Sequence, residues 1–382
     1  MLIAQGVKKL MLHIEKEGYK GFDPYDALKS PLFKLPFFNS NKFIRFGIQQ
    51  LVKRLPFNIR PLLLVPKGYN PVTLGLSIQA YSYSILSEPN NGELYFQKIT
   101  GLVNDLKGLA ATGYSGACWG YDFDWQARNA TIPAYQPSVV ATGIITNALF
   151  VAYQITGHKE SARLIGSAAK FVINDLQRTH HGDDAFCFSY SPFDSQQVFN
   201  ASMKGARLLA QSYSICQNPE HKNLATKAVQ FVMSHQKENG AWVYSLAREG
   251  GWIDNYHTGY ILDCLHEYQK LTRNYQWSTQ IKLGYSFYRE HFISKEGEPK
   301  FYHNRIYPVD CTAAAQTILT TLKFDDVEIA EKTARWMIKN MQKENGSFVF
   351  RKFNYYTVRT SYMRWSDAWM FAGLAYFLSK FK

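Results

Sequence analysis

The strongest constraint on this fold is a phrase that occurs twice. Gln236-Lys237-Glu238-Asn239-Gly240-Ala241-Trp242 returns 106 residues later as Gln342-Lys343-Glu344-Asn345-Gly346-Ser347-Phe348. Each copy follows an amphipathic helical pattern (Phe231-Val232-Met233; Trp336-Met337-Ile338) and precedes a β-like snippet (Trp242-Val243-Tyr244; Phe348-Val349-Phe350). The Asn-Gly pair inside each copy marks a tight turn. Self-similarity at a fixed offset is the signature of a repeat-built fold, and the offset is twice a 53-residue unit.

That unit reads as a helical hairpin. Apolar segments rich in small residues begin near Pro71, Pro137, Asn200, Asn255, Pro308 and Tyr362. Three of these starts carry proline, expected at the first helical position, where its missing N–H is not needed. More charged, amphipathic helices are expected at roughly 94–111, 158–177, 220–236, 275–292 and 325–342, with the helix at 40–54 as the sixth of that kind. Six hairpins with one buried and one amphipathic helix each pack best as two concentric rings. The predicted fold is therefore all-α, an (α/α)6 toroid or six-hairpin barrel with short β-hairpin-like snippets in its loops. An open solenoid would need polar end caps, which the sequence does not carry. Residues 1–39 read as an N-terminal helix (2–17) and an aromatic-rich extension packed on a toroid formed by 40–382.

In such a toroid the six outer-to-inner loops open at one end, where the inner helices also point their N-termini. Those ends carry partial positive charge and free N–H groups. The loops hold most of the polar and aromatic candidates. The second contains Trp119, Asp122, Asp124, Trp125 and Arg128; the fourth contains Arg248, Trp252, Asp254, Asn255, His257 and Tyr260. The fifth contributes His303, Arg305 and Tyr307, and the sixth Arg364 and Trp365. Asp254 or Asn255 is a natural N-cap. His257 then lies one turn inside the helix, at the wet end of the stripe His257, Ile261, Cys264, Tyr268.

His257, Tyr260, Asp254 and Asp124 are the candidate catalytic groups. The arginines, tryptophans, Asp122, Asn255, His303 and Tyr307 are candidate substrate contacts, since rings stack sugars and guanidinium groups clamp carboxylates. Each has a plainer alternative: a hydrogen-bonded core histidine, carboxylates that cap turns, or indoles that pack the rim.

Aromatic residues make up 15% of the chain, and the net charge of +13 favours an anionic partner. With no Lys/Arg block, zinc-finger spacing or RNA-binding signature, nucleic acid is not the expected one. The five cysteines are scattered without C-x-x-C spacing, so reduced thiols are expected. Zinc through Cys118, Cys264 or Cys311 with His257 lacks a Cys-His dipeptide, and no metal or cofactor is expected. No signal peptide or membrane-length apolar run is apparent, which predicts a cytoplasmic protein.

The hairpin count, the Gln-x-x-x-Gly-x-Trp echo and the aromatic loops resemble the six-hairpin toroid enzymes of carbohydrate metabolism. The segments at 21–28 (Gly-Phe-Asp-Pro-Tyr-Asp-Ala-Leu), 253–260 (Ile-Asp-Asn-Tyr-His-Thr-Gly-Tyr) and 362–369 (Tyr-Met-Arg-Trp-Ser-Asp-Ala-Trp) are similar to proteins of bacterial capsule and exopolysaccharide biosynthesis. A looser resemblance links the chain to the helical domain of glucuronyl C5-epimerases and to toroidal polysaccharide lyases. These resemblances imply an enzyme acting on an acidic oligosaccharide or lipid-linked saccharide, by proton abstraction at C5 of a uronate. The basic charge also allows association with a membrane surface. A glycoside hydrolase pairing Asp122 or Asp124 with Asp194, Asp254 or Asp310 is the alternative enzyme, and a non-catalytic glycan-binding or assembly subunit is the alternative of another class.

Overall fold

A computed structural model of the chain describes residues 1–39, 41–126 and 131–381. Its helices are α1 (Leu2–Lys16), the short α2 (Pro36–Asn39), α3 (Lys42–Arg54), α4 (Pro71–Ser87), α5 (Gly92–Gly108), α6 (Val139–Thr156), α7 (Lys159–Asn174), α8 (Phe199–Cys216), α9 (Pro219–Ser234), α10 (Asn255–Thr272), α11 (Ser278–Phe292), α12 (Cys311–Lys323), α13 (Val327–Met341) and α14 (Trp369–Ser379). Helices α4, α6, α8, α10, α12 and α14 pack each on the next, and α14 closes on α4. They are buried along most of their length because both flanks and the outer face are covered. The second ring packs on them, α5 on α4, α7 on α6, α9 on α8, α11 on α10 and α13 on α12. This is the (α/α)6 toroid that the repeat predicts.

The repeated phrase works as a clamp between successive outer helices. Gln236 Nε2 donates to Gly240 O of its own turn (3.0 Å) and to Gln280 O of α11 (2.9 Å). Gln342 Nε2 does the same with Gly346 O (2.9 Å) and Gly6 O of α1 (2.8 Å). Both turn glycines have positive φ, +89° and +91°, and a Cβ there would meet Leu283 O at 2.6 Å or Lys9 O at 2.3 Å. Only glycine fits a left-handed turn pressed on a neighbouring helix backbone.

The equivalence makes α1 the sixth outer helix, which corrects the expectation that 40–54 fills that place. Helix α1 packs on α13 and α14, and its Glu15 accepts from Tyr81 of α4 (2.7 Å) and pairs with Lys98 of α5. Helix α3 instead lies over the mouth: Gln49 Nε2 donates to Tyr25 O (2.7 Å) and Asp124 O (3.0 Å), and Gln49 Oε1 accepts from Gln126 N (3.0 Å).

Small antiparallel pieces stiffen the mouth loops. They are β1 (Trp125–Gln126) with β2 (Thr131–Ile132), β3 (Arg178–His180) with β4 (Phe186–Phe188), and the sheet β5 (Val309–Asp310), β6 (Arg351–Lys352), β7 (Thr357–Val358). Of the three prolines, only Pro71 opens a helix; Pro137 and Pro308 precede helices capped by Ser138 and Asp310. Helix α6 is long and apolar enough to cross a membrane, contrary to expectation, but here it is packed within the inner ring.

Candidate functional site

The sixth inner helix begins with a π-helical turn, Met363–Ala368, which carries Arg364 and Trp365 at the mouth. Helix α10 brings Tyr256, His257 and Tyr260 there, and α8 brings Asn200. Together with the loops they enclose a cavity of about 370 Å³. Its wall holds six tyrosines (Tyr25, Tyr121, Tyr190, Tyr244, Tyr256, Tyr260), four tryptophans (Trp125, Trp252, Trp365, Trp369), Phe123, Gln196, Asn200, His257 and Arg364. Among the described residues, no carboxylate lines it.

His257 is built into this wall by its own helix start. Asp254 is the N-cap of α10: its Oδ1 accepts from His257 N (3.0 Å), and its Oδ2 faces His257 Nδ1 at 2.7 Å. Trp252 Nε1 donates to the same Oδ2 (2.9 Å). A carboxylate can only accept, so Nδ1 carries the hydrogen, and in the neutral ring Nε2 is the nitrogen with the free lone pair. That nitrogen has no protein partner among the described residues. Tyr244 and Tyr256 hold the imidazole, with ring centroids 4.6 and 4.1 Å away, and Trp252 stacks on Tyr244 at 4.4 Å. The result is an oriented acid–base group in a largely apolar recess.

Arg364 faces it from the π turn. Its Nε and Nη2 donate to Asp23 Oδ2 (2.6 Å) and Oδ1 (3.0 Å), and its plane lies over the Tyr121 ring at 4.6 Å. The pair is buried and strongly fixed; burial opposes the charge, but Asp23 with Tyr121 and Tyr25 more than offsets it, so the guanidinium pKa is raised. Burial pushes the phenol pKa values of all six cavity tyrosines upward. At neutral pH they therefore keep their protons and can donate them.

Below the floor sits Lys204 of α8, its ammonium 3.7 Å from the Tyr260 ring centroid and in no ion pair among the described residues. Burial, then Arg207, lowers its pKa to about 7. In the unfolded chain a lysine holds its proton to about 10.4. Between those values the unfolded state binds more protons, so this group makes stability rise with pH, and its destabilisation is complete below about 7. Lys204→Met is expected to raise stability by about 1–2 kcal/mol near pH 6, a gain that shrinks by about pH 9. Urea midpoints of both proteins at the two pH values check this, and a pH-independent difference counts against it.

A second cavity, of about 420 Å³, adjoins the first. Lys53, Arg54, Arg305 and Arg351 line it with Tyr302, Tyr307, Phe353, Tyr355 and Tyr356, and no acidic residue does so among those described. Two contacts join the cavities. Lys53 Nζ donates to Tyr25 OH (2.6 Å), and Asp310 accepts from both Arg351 Nε (2.5 Å) and Trp365 Nε1 (3.2 Å).

The candidate residues thus divide by place. Trp125, Trp252, His257, Tyr260, Arg364 and Trp365 meet at the first cavity, with Asp254 behind His257. Arg305 and Tyr307 line the second. Arg128 lies outside the described residues. Trp119, expected at the mouth, is fully buried and donates to Leu106 O (2.7 Å), as Trp242 does to Val232 O (3.0 Å). It occupies a repeat position rather than a substrate wall. Asn255 is fully buried and bonded to Lys300 O, Thr317 and Tyr288. Asp122 is held by Lys29 (2.7 Å) and Asn70 (2.6 Å), and Asp124 accepts from Ala134 N (2.9 Å). Arg248 is exposed on a short 3-10 turn outside the cavity. His303 packs on Phe287 with Nδ1 3.3 Å from Ile253 O. Asp194 caps its own turn through Tyr190 N and Ser191 N, and Asp310 caps α12. The five candidate carboxylates of a hydrolase pair therefore all serve the scaffold or His257.

Sequence reading missed Tyr25, Tyr121, Tyr190, Tyr244, Tyr256, Asn200 and Trp369. The available signal was the resemblance itself. Its three stretches, 21–28, 253–260 and 362–369, converge here through Tyr25, His257 and Arg364, and Asp23 of the first clasps Arg364 of the third.

No protein-family model and no curated protein sequence matches the chain. Solved structures do. A cellobiose 2-epimerase from Bacillus thermoamylovorans superposes with a TM-score of 0.63 at 12% identity, covering 81% of this chain and 87% of its own. A GH76 α-mannanase from Bacteroides thetaiotaomicron gives 0.59 at 13%, covering 81% and 86%. A polysaccharide lyase gives 0.54 at 10%, covering 80% and 89%. The chain shares one toroidal fold with proteins named for epimerisation, hydrolysis and elimination.

Proposed function

We propose that this protein is a carbohydrate-active enzyme that abstracts the C5 proton of a uronate within an acidic saccharide. The Asp254–His257 pair opening into an aromatic cavity without carboxylates is the observation that carries the reading. His257 Nε2 takes the proton from C5, and the electron pair passes into the carboxylate as an enolate-like intermediate. Arg364 steadies that developing charge, although Asp23 already engages two of its nitrogens, so its role is orientation as much as neutralisation. A protonated tyrosine on the opposite face then either returns a proton to C5, giving epimerisation, or protonates the O4 leaving group as it departs, giving elimination. The second cavity, with cations and no acids, would hold an anionic group on the neighbouring unit. The resemblance of the three converging stretches supports a role in capsule or exopolysaccharide synthesis.

The likeness to a cellobiose 2-epimerase supports a second reading, with the same base acting at C2 of a reducing sugar. Incubation in heavy water with uronate oligosaccharides and with cellobiose separates them. Deuterium at C5 of the uronate or a 4,5-unsaturated product is the expected result, deuterium at C2 of cellobiose selects the second reading, and the absence of both exchange and unsaturated product rejects proton abstraction.

A further inference from the structure

Helix α3 buries Val52 and half-buries Ile44, Phe46 and Ile48, yet leaves two large apolar side chains in solvent. Its inward positions carry Gln49, fully buried against the mouth loops, Lys53, bonded to Tyr25, and Arg45, which stands 3.7 Å from Asp124. Its outward stripe, at four-residue spacing, is Phe43, Gly47 and Leu51, with Phe43 72% and Leu51 63% exposed. Polar groups anchor the protein side beside buried Val52, while Phe43 and Leu51 stay largely in solvent.

The surface continues beyond the helix. A short 3-10 turn, Pro31–Lys34, packs on α2, and α2 packs on α3. Ser30 Oγ donates to Leu63 O (2.6 Å), which brings the 62–64 loop beside that turn. Leu32, Leu35, Leu62 and Leu64 are all exposed there, Leu62 to 81%. Large exposed apolar clusters on a folded chain mark an interaction face.

Charge identifies the occupant. Between Asp26 and Glu88 the sequence has no acidic residue, while Lys34, Lys42 and Arg54 stand exposed around the apolar stripe. Apolar side chains that can enter an acyl boundary, rimmed by lysine and arginine, match the interface of an anionic bilayer. A second copy would bring the same basic, acid-free face and so offers no charge complement. We infer that the surface formed by residues 31–35, 42–54 and 62–64, centred on the outward stripe of α3, docks the protein on anionic phospholipid. It would lie in the interface without spanning it. Gln50, Lys53 and Arg54 of the same helix line the basic cavity, so docking would set that cavity beside the lipid headgroups.

The test is flotation of the full chain with vesicles of phosphatidylcholine alone or mixed with phosphatidylglycerol. Binding is expected to the mixed vesicles only, and to weaken at about 1 M salt, where the screening length falls to about 3 Å. Phe43→Glu with Leu51→Glu should lower the bound fraction by at least about tenfold with an unchanged melting temperature, since both side chains already face solvent. Absence of binding to mixed vesicles, or binding unchanged in the variant, overturns the inference. So does a parent chain that is dimeric without lipid and becomes monomeric on the same substitutions, because the stripe would then be a self-association face.

Discussion

His257→Ala should abolish turnover while leaving the fold standing. Loss of a positioned general base is expected to cost on the order of 10²–10⁴ in rate. The stability cost should stay within about 1 kcal/mol, for a reason visible at Asp254. That carboxylate keeps the His257 backbone N–H as the helix cap and the Trp252 indole N–H at 2.9 Å, so removing the imidazole strands no buried charge. The imidazole itself is part of the cavity wall, between Tyr244 and Tyr256, and its loss enlarges a space that water already reaches. Solvent-deuterium exchange measures the first effect and a thermal melt the second. Asp254→Asn is the control on mechanism: asparagine caps a helix nearly as well, but it no longer enforces a hydrogen on Nδ1. Its activity should fall with little change in melting temperature. If instead His257→Ala melts several degrees lower and its residual activity follows the folded fraction, the histidine is a packing residue and the proton-abstraction mechanism loses its base.

The ring of hairpins was legible because a repeat states the same packing several times. The Gln-to-Gly phrase encodes a clamp between neighbouring outer helices and revealed the repeat; six hairpins without polar end caps then implied closure. What the pattern left open was direction. Periodicity shows which residues share a helix face, not which way that face looks. Residues 42–54 have the pattern of an outer helix, yet Phe43 and Leu51 point to solvent while Gln49 and Val52 face the protein, and α1 takes the place in the ring. The same limit governs the site. Asp254 and His257 were readable together because a cap and its first turn are local. Tyr25, Tyr121, Tyr190 and Tyr244 come from separate loops, each with an ordinary tyrosine in an aromatic-rich chain, and only tertiary closure makes them one wall. Trp119 and Trp125 lie six positions apart in one loop and have opposite fates, the first fixed to an outer-helix carbonyl and the second on the cavity.

The largest stability effect is expected at Asp310, which also decides what that carboxylate does. It is fully buried, and four groups converge on it. Oδ1 accepts from Thr312 N (2.9 Å) and Ala313 N (3.1 Å) at the start of α12; Oδ2 accepts from Arg351 Nε (2.5 Å); and the Trp365 indole lies 3.2 Å from both oxygens. Alanine would leave two helix N–H groups, an indole N–H and a guanidinium short of partners. Removing one member of a buried ion pair costs about 3–5 kcal/mol, and the lost cap adds about 1 kcal/mol. Arg351 lines the second cavity and can draw in water, which places the expected loss nearer the lower end of that sum, about 4 kcal/mol. Asp310→Asn should lose less, because its side-chain oxygen can still cap α12 while the charge on Arg351 goes uncompensated. Urea unfolding of the three proteins should therefore rank them parent, asparagine, alanine, with activity tracking the folded fraction. A hydrolase that used Asp310 as acid or base would behave the other way: asparagine would unfold at the parent's midpoint and be inert. That outcome would return the carboxylate to the chemistry and remove His257 from the centre of it.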